Sequence, residues 1–478
     1  MSRLIILSNR VSLPQTECVA GGLAVAMQDA LSQLGGVWVG WNGKKIEQPF
    51  EQHFDILYKS KITYMTCALT QQQYQDYYCG FSNNTLWPAM HDREDLIEYN
   101  PKEFKTYQDV NRLFATKIAE FAQPDDLIWV QDYHFLSVAR HCRELGMQNK
   151  IGFFLHIPFA SLEIWRKIPC AEQLMDDLCH YNLIGLQTAQ DQENCISVCS
   201  VLLKAQKIQN NMISLNQRVT QIQDYPIGVD VKGIQKTLSN LSDQDQYLTN
   251  PSAIKTIIGV DRIDYSKGLF ERFNAFAEFL DRNTAFHQKV QHVQIASPCR
   301  LEVATYKRLF ERFKLKVELI NSEFSQDNWL PIVCHYDSKP HHELMQFYRN
   351  ADICWVTSLK DGMNLVAKEY IAAQNPDNPG VLILSEFAGA AEQMQDALIV
   401  NPKNRDAMIK ALKLALNMSL EERQYRYHKL IKQLIEYDIN QWRDDFLKDL
   451  NSSQYIQNFD YNHRLSTVLF YPNYSSRI

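Results

Sequence analysis

The stretch Ile257-Ile258-Gly259-Val260-Asp261-Arg262-Ile263-Asp264-Tyr265-Ser266-Lys267-Gly268-Leu269 begins apolar and turns polar. Ile257–Val260 has the length and composition of a buried strand. Arg262 and Lys267 then fall where that strand gives way to a loop and a helix. In an open α/β sheet, ligands bind at this edge. Two fixed cations there point to a polyanion, most simply a diphosphate. Taken alone, the same residues read equally well as a surface loop with two solvated charges.

The strand has many counterparts. Apolar runs occur at Leu4–Leu7, Val37–Val39, Leu127–Val130, Ile151–Leu155 and Leu183–Leu186, and again at Val293–Ile295, Ile353–Val356, Val381–Leu384 and Leu398–Val400. Longer amphipathic segments separate them. Strand-sized runs alternating with helix-sized segments predict parallel sheets with crossover helices. A chain of 478 residues holds too many such units for one compact sheet, so two doubly wound α/β domains are expected. Pro and Gly punctuate Tyr225-Pro226-Ile227-Gly228-Val229-Asp230, and a polar stretch from Ser239 to Ser252 follows. This places the first domain at 1–228 and the second at 229–450. The remainder, 451–478, is a tail rich in Asn, Ser and Tyr with an apolar patch at Val468–Tyr471.

A content of 45% hydrophobic and 22% charged residues is that of a soluble globular protein. A net charge of −6 without a basic run argues against nucleic acid as a partner. The 11 cysteines include no C-x-x-C pair, which argues against a thiolate metal site or disulfide framework and for the cytoplasm. Met1–Ser8 reads as a first strand and not a signal peptide. No apolar stretch reaches membrane-spanning length.

A second polar stretch, Asp361-Gly362-Met363-Asn364-Leu365-Val366-Ala367-Lys368-Glu369-Tyr370, follows the run Ile353–Val356. Asp-Gly-Met-Asn is loop chemistry, and Leu365 reads as a helix start whose free amides suit a phosphate. Glu369, about one turn further in, can accept from ribose hydroxyls, with Asp361 toward the sugar. The plainer reading is that Asp361 and Asn364 cap the helix; the two are compatible.

Other strand ends carry further candidates. After the first strand come Arg10 and the pair Gly21-Gly22, where a backbone can approach a ligand closely. This is neither a dinucleotide fingerprint nor a Walker loop. Asp132 and His156 each follow a strand of the first domain, and Arg300 follows Val293–Ile295. Aromatics concentrate at Tyr77, Tyr78, Phe81 and Trp87, and can stack on a sugar or simply fill a core. Asp243-Gln244-Asp245 lacks a preceding strand and reads as solvated linker.

Seven segments occur together, in order, in one family. They are Ser8–Arg10, Ala20–Leu23, Leu86–Pro88, Trp129–His134, Phe154–Pro158, Asp261–Gly268 and Asp361–Tyr370. From the first strand to about Trp442, the chain resembles the trehalose-6-phosphate synthases. The resemblance implies a GT-B fold, two Rossmann-like domains facing across a cleft. It implies transfer of glucose from UDP-glucose to glucose 6-phosphate with retention, without a cofactor or tightly bound metal. It also implies a homo-oligomer, in this family often a tetramer. Arg262 and Lys267 would hold the donor diphosphate and help it leave, and Gly21 and Gly22 would bring amides to the donor. Met363, Asn364, Leu365, Val366, Ala367, Lys368 and Glu369 would form the nucleotide-facing segment. Asp361 and His156 would contact the transferred glucose. Arg10, Tyr78, Trp87, Asp132 and Arg300 would line the acceptor pocket. The sequence departs from the family pattern at Ser358-Leu359-Lys360, at Ala296–Cys299 and over Asp337–His342. No base contact is transferred to the last of these. The neighbouring reading is a related transferase acting on glycerol 3-phosphate, but Trp87 and Asp132 favour a hexose. A silent sugar-phosphate sensor would have lost a donor cation or Asp361.

Overall fold

The computed structural model describes residues 3–13, 22–48, 52–240 and 254–453. Gly21, the Asp243–Asp245 stretch and most of the expected tail lie outside the described residues. Two sheets organise the chain.

The first sheet contains β1 (Leu4–Arg10), β2 (Gly36–Ile46), β3 (Phe54–Lys59), β4 (Ile62–Thr70), β5 (Leu127–Gln131), β6 (Lys150–Phe154), β7 (Leu183–Leu186), β8 (Gln206–Gln209), β9 (Met212–Leu215) and β10 (Arg218–Asp224). Its order is β3-β4-β2-β1-β5-β6-β7-β10-β9-β8. The strands from β4 to β10 in that order are parallel, and β3, β9 and β8 pair antiparallel at the two edges. The central strands carry near-continuous apolar runs, as strands covered on both faces do, with polar residues only at their ends. The antiparallel edge strands are half-exposed and mixed in composition, which is why apolar runs did not mark them.

The second sheet contains β11 (Lys255–Arg262), β12 (Val290–Ser297), β13 (Ile332–His335), β14 (Ile353–Val356), β15 (Val381–Ser385) and β16 (Leu398–Val400). It is wholly parallel, ordered β13-β12-β11-β14-β15-β16. The chain winds outward from β11 one way, then returns to β14 and winds the other. The carboxyl ends of β11 and β14 therefore border the switch point, where side chains leave a crevice open for a ligand. In the first sheet β1 and β5 border the equivalent point. Thus the two expected doubly wound sheets are present, and their switch points carry the loops singled out above.

The segment 225–230 links the sheets. Asp230 caps the next helix, Val231–Ser239, by accepting from the Gly233 N–H. The chain crosses back at its end. The helix Ile439–Ser452 buries Ile439, Trp442, Phe446 and Leu450, spaced along one helical face. That face packs on the first sheet: Phe446 stacks on Trp129 at 4.8 Å and Trp442 meets Phe154 edge-on at 5.0 Å. Gly152 and Gly185 make the room, because a Cβ on either would sit 2.8 Å from a Phe446 ring carbon. The span 229–450 therefore ends with a helix seated on the first domain. No described helix is long and apolar enough to cross a membrane.

Candidate active site

A cavity of about 680 Å³ lies between the two sheets, lined from both switch points. That is within the usual range for small-molecule sites, roughly 300–1,000 Å³. The walls touch at Gly362, where a Cβ would stand 2.3 Å from the His156 carbonyl oxygen and 2.9 Å from Ile157 Cα. Only glycine lets the loop after β14 rest on the strand end of the other domain. Lys360, at a departure from the family pattern, reaches Asp92 across the cleft at 3.0 Å.

On the second-domain side, Lys267 Nζ donates to Asp361 Oδ2 at 2.6 Å. Ser358 Oγ and Asn364 Nδ2 donate to the same oxygen, each at 3.0 Å. No described residue donates to Oδ1, which is left for a hydroxyl donor. Burial alone would raise the Asp361 carboxyl, but Lys267 and the hydrogen bond from Asn364 hold it below its ordinary value. Asn364 adopts φ 83° and caps the helix Leu365–Ala373, its Oδ1 accepting from the Ala367 N–H at 3.1 Å. Leu365 and Val366 line the cavity, and as the first residues of the helix their amides lack intrahelical acceptors. They form a ready anion site beside Lys267. Arg262 is exposed at the rim and forms no ion pair with a described residue; its guanidinium lies 5.4 Å from the Trp87 ring centre. Glu369 also lines the cavity, and burial raises its carboxyl to about 7.

On the first-domain side, a wide helix, Tyr74–Leu86, closes i→i+5 hydrogen bonds, as from the Trp87 N–H to Ser82 O. Such helices are rare and collect at functional sites. This one turns Tyr78 and Trp87 into the cavity, while Tyr77 and Phe81 are core residues. Asp132 holds φ 71°, a strained conformation costing about 1–3 kcal/mol for a residue with a side chain. It is fixed by its N–H donating to Phe154 O at 2.7 Å and by Oδ1 accepting from the His156 N–H at 3.1 Å. Burial lifts its carboxyl to about 6, against the opposing pull of Arg262 and Arg300. His156 Nε2 lies 2.9 Å from Gln131 Oε1, and burial holds the ring at about 3, so it is neutral at physiological pH. A neutral ring here can orient a hydroxyl; it cannot serve as a cation.

Arg300 enters the cavity from the loop after β12. Its guanidinium lies 3.8 Å over Trp87 and is paired with Asp264. Arg10 differs from expectation. It folds back over Trp41, 5.2 Å from the ring centre, and is not among the cavity-lining residues. Ala367 and Lys368 are corrections. Ala367 is buried behind the helix, and Lys368 Nζ points away from the cavity to Ile227 O and Gln393 Oε1, both at 2.6 Å. A helix shows a ligand only one face, so Met363–Val366 and, one turn on, Glu369 line the cavity while Ala367 and Lys368 turn away from it. Gly22 begins the helix Gly22–Leu34; the loop before it is outside the described residues.

Several lining residues escaped sequence reading. His91 stacks on Trp87 at 4.1 Å and is held near 4 by burial. Tyr133 and His134 flank Asp132, and Ser338, Lys339 and His341 line the far end. His91 follows no strand and gave no signal. Tyr133 and His134 lie within the segment Trp129–His134, and their position directly after β5 is the signal that marks them. Among the described residues, no group of three His, Cys, Asp or Glu side chains is placed to hold a metal ion.

Facing parallel-sheet domains, with a cation-lined switch point opposite an aromatic and arginine pocket, are the architecture of a GT-B glycosyltransferase. More narrowly, the chain belongs to glycosyltransferase family 20, whose model matches residues 9–452. A trehalose-6-phosphate synthase of Sodalis glossinidius is 39% identical over 457 residues, covering 94% of this chain and 96% of that one. Two solved structures are similar throughout. One is an α,α-trehalose-phosphate synthase (UDP-forming) from Burkholderia xenovorans in complex with glucose-6-phosphate (TM-score 0.90, 39% identity, 94% of this chain and 100% of that one). The other is a trehalose-6-phosphate structure from E. coli bound with UDP-2-fluoro glucose (TM-score 0.90, 38% identity, 94% and 99%).

Proposed function

We infer that this chain transfers glucose from UDP-glucose to glucose 6-phosphate with retention, giving α,α-trehalose 6-phosphate and UDP. The carrying observation is one cavity with two unlike ends: Lys267, Arg262 and the helix start on the second-domain wall, and Tyr78 and Trp87 facing them, with Arg300 reaching from the second domain onto Trp87. The solved relatives, one with each kind of ligand, support that division.

In this reading the donor diphosphate lies against Arg262, Lys267 and the Leu365 and Val366 amides, with Glu369 on the ribose. Asp361 Oδ1 and neutral His156 hold hydroxyls of the transferred glucose. Tyr78, Trp87, Asp132 and Arg300 receive the acceptor, and Arg10 swings in from Trp41 to its phosphate. As the bond from C1 to the diphosphate oxygen breaks, positive charge builds on the sugar and negative charge on the leaving group. Two fixed cations and the helix start stabilise the latter without a bound metal or cofactor. The acceptor's anomeric oxygen bonds to C1 on the face the diphosphate leaves, and its proton passes to a departing phosphate oxygen. Asp361 Oδ2 is held by Lys267 and Asp132 Oδ1 by the His156 N–H, and in this one-face reading both carboxylates orient groups and neither attacks C1. A covalent glucosyl adduct on either would contradict this.

The test is transfer from UDP-, ADP- and GDP-glucose to glucose 6-phosphate and to glycerol 3-phosphate, with product linkage read by NMR. The expected product is an α,α-1,1-linked disaccharide phosphate formed fastest from UDP-glucose. Faster turnover with glycerol 3-phosphate would assign the chain to the neighbouring reaction.

A further inference from the structure

Asp264 lies in the donor loop between Arg262 and Lys267, yet its side chain faces the acceptor wall. It is fully buried. Its Oδ2 accepts from Arg300 Nη1 at 2.9 Å and from the Tyr306 hydroxyl at 2.9 Å, and that hydroxyl accepts from Arg300 Nη1 at 2.8 Å. Its Oδ1 accepts from the Ser266 N–H at 2.9 Å, and its carbonyl accepts from the Lys267 N–H at 3.1 Å. One residue thus shapes the turn that presents Lys267 and grips the guanidinium of Arg300. The chain of bonds continues across the cleft. Arg300 Nη2 donates to the Tyr133 hydroxyl at 3.3 Å, Tyr133 donates to Asn83 Oδ1 at 3.0 Å, and Asn83 Nδ2 donates to the Tyr78 carbonyl at 2.7 Å.

A carboxylate beside a phosphate-binding cation weakens that cation's pull on a dianion. Arg300 itself sits at φ 50°, a conformation that side-chain-bearing residues avoid. The first feature works against binding and the second costs stability, which is explained if the orientation of the guanidinium matters more than its net charge. We propose that Asp264, with Tyr306, is the positioning residue that sets Arg300 for the acceptor phosphate and ties the acceptor clamp to the donor loop. This rests on the reading that Arg300 meets that phosphate. With Nη1 committed to Asp264 and Tyr306, Nη2, which spends one N–H on Tyr133, keeps its second N–H for the acceptor.

The experiment compares Asp264→Asn and Tyr306→Phe with wild type. It measures KM for each substrate, and calorimetric binding of UDP and of glucose 6-phosphate to the UDP-loaded enzyme. Loss of a charged hydrogen bond predicts an acceptor KM and Kd raised roughly tenfold to a hundredfold in Asp264→Asn. Tyr306→Phe, which removes a neutral partner, shifts the same way by about three- to tenfold. UDP binding and donor KM stay within about threefold, since the side-chain oxygen kept in Asp264→Asn still accepts from the Ser266 N–H, the backbone bond to Lys267 is kept and no donor contact is removed. A merely structural role would weaken both ligands alike, or lower the melting temperature with acceptor binding unchanged; either result overturns the proposal. If Asp264→Asn does not fold, the Tyr306→Phe shift decides alone. Wild type that forms no disaccharide phosphate would refute the functional reading instead, a separately visible outcome.

Discussion

Arg262 and Lys267 stand five residues apart in one loop and are assigned one ligand, yet their removal has different consequences. Lys267 Nζ is 2.6 Å from Asp361 Oδ2, and both side chains are 13% exposed. Arg262 is exposed, and among the described residues it forms no ion pair; its guanidinium rests over the Trp87 face. Cutting one partner from a buried pair costs about 3–5 kcal/mol, because the other charge is stranded. Ser358 and Asn364 still bond Asp361, which places Lys267→Ala near the lower end, about 3 kcal/mol. At about 2–4 °C per kcal/mol for a domain of this size, the melting temperature falls by roughly 6–12 °C. Arg262→Ala loses one exposed cation–π contact, at most about 1 kcal/mol. Catalytically, each loses a contact to the charge developing on the leaving diphosphate. Such a contact is worth roughly 2.7–4 kcal/mol, or about a hundredfold to a thousandfold in turnover. The assay is UDP release with glucose 6-phosphate alongside a thermal melt. Arg262→Ala should be nearly inactive with a wild-type melt, whereas Lys267→Ala should be inactive and destabilised. Adding Asp361→Asn to Lys267→Ala should recover most of the melt and none of the activity. Arg262→Ala with more than about a tenth of wild-type turnover would remove the donor clamp, and an unshifted melt for Lys267→Ala would remove the buried-pair argument.

Gly362→Ala should cost about a hundredfold in turnover, the usual penalty for a displacement of about an ångström at a reacting centre, because the new Cβ would meet the His156 carbonyl at 2.3 Å; an active variant would mean the cleft works without that contact. Burial raises the Glu369 carboxyl to about 7 from 4.5. A carboxyl with a raised folded value adds stability that is full below about 4.5 and lost as pH rises through about 7. The same ionisation supplies the ribose acceptor, so donor KM should fall from pH 6 to 8, and a profile of equal slope in Glu369→Gln would refute the assignment.

The apolar runs determined the fold class, because a strand buried on both faces must be apolar along its whole length. The five apolar runs marked in each half of the chain are all strands, four of the second five in the interior of their sheet and Leu398–Val400 at its edge. Edge strands β3 and β8 were invisible, since a half-exposed strand has no such requirement. Long motifs likewise marked Arg262, Lys267, Asp361 and Glu369, whose positions follow from strand ends and a helix start. Tertiary structure alone decided where side chains point and what neutralises them. It turned Lys368 into the domain junction, laid Arg10 on Trp41, and gave Arg300 to a carboxylate from the donor loop. It also returned the final helix to the first sheet, through the slot left by Gly152 and Gly185. The reason is physical: periodicity fixes which residues are buried within an element, but burial partners come from segments far apart in sequence, and only packing brings them within hydrogen-bonding distance.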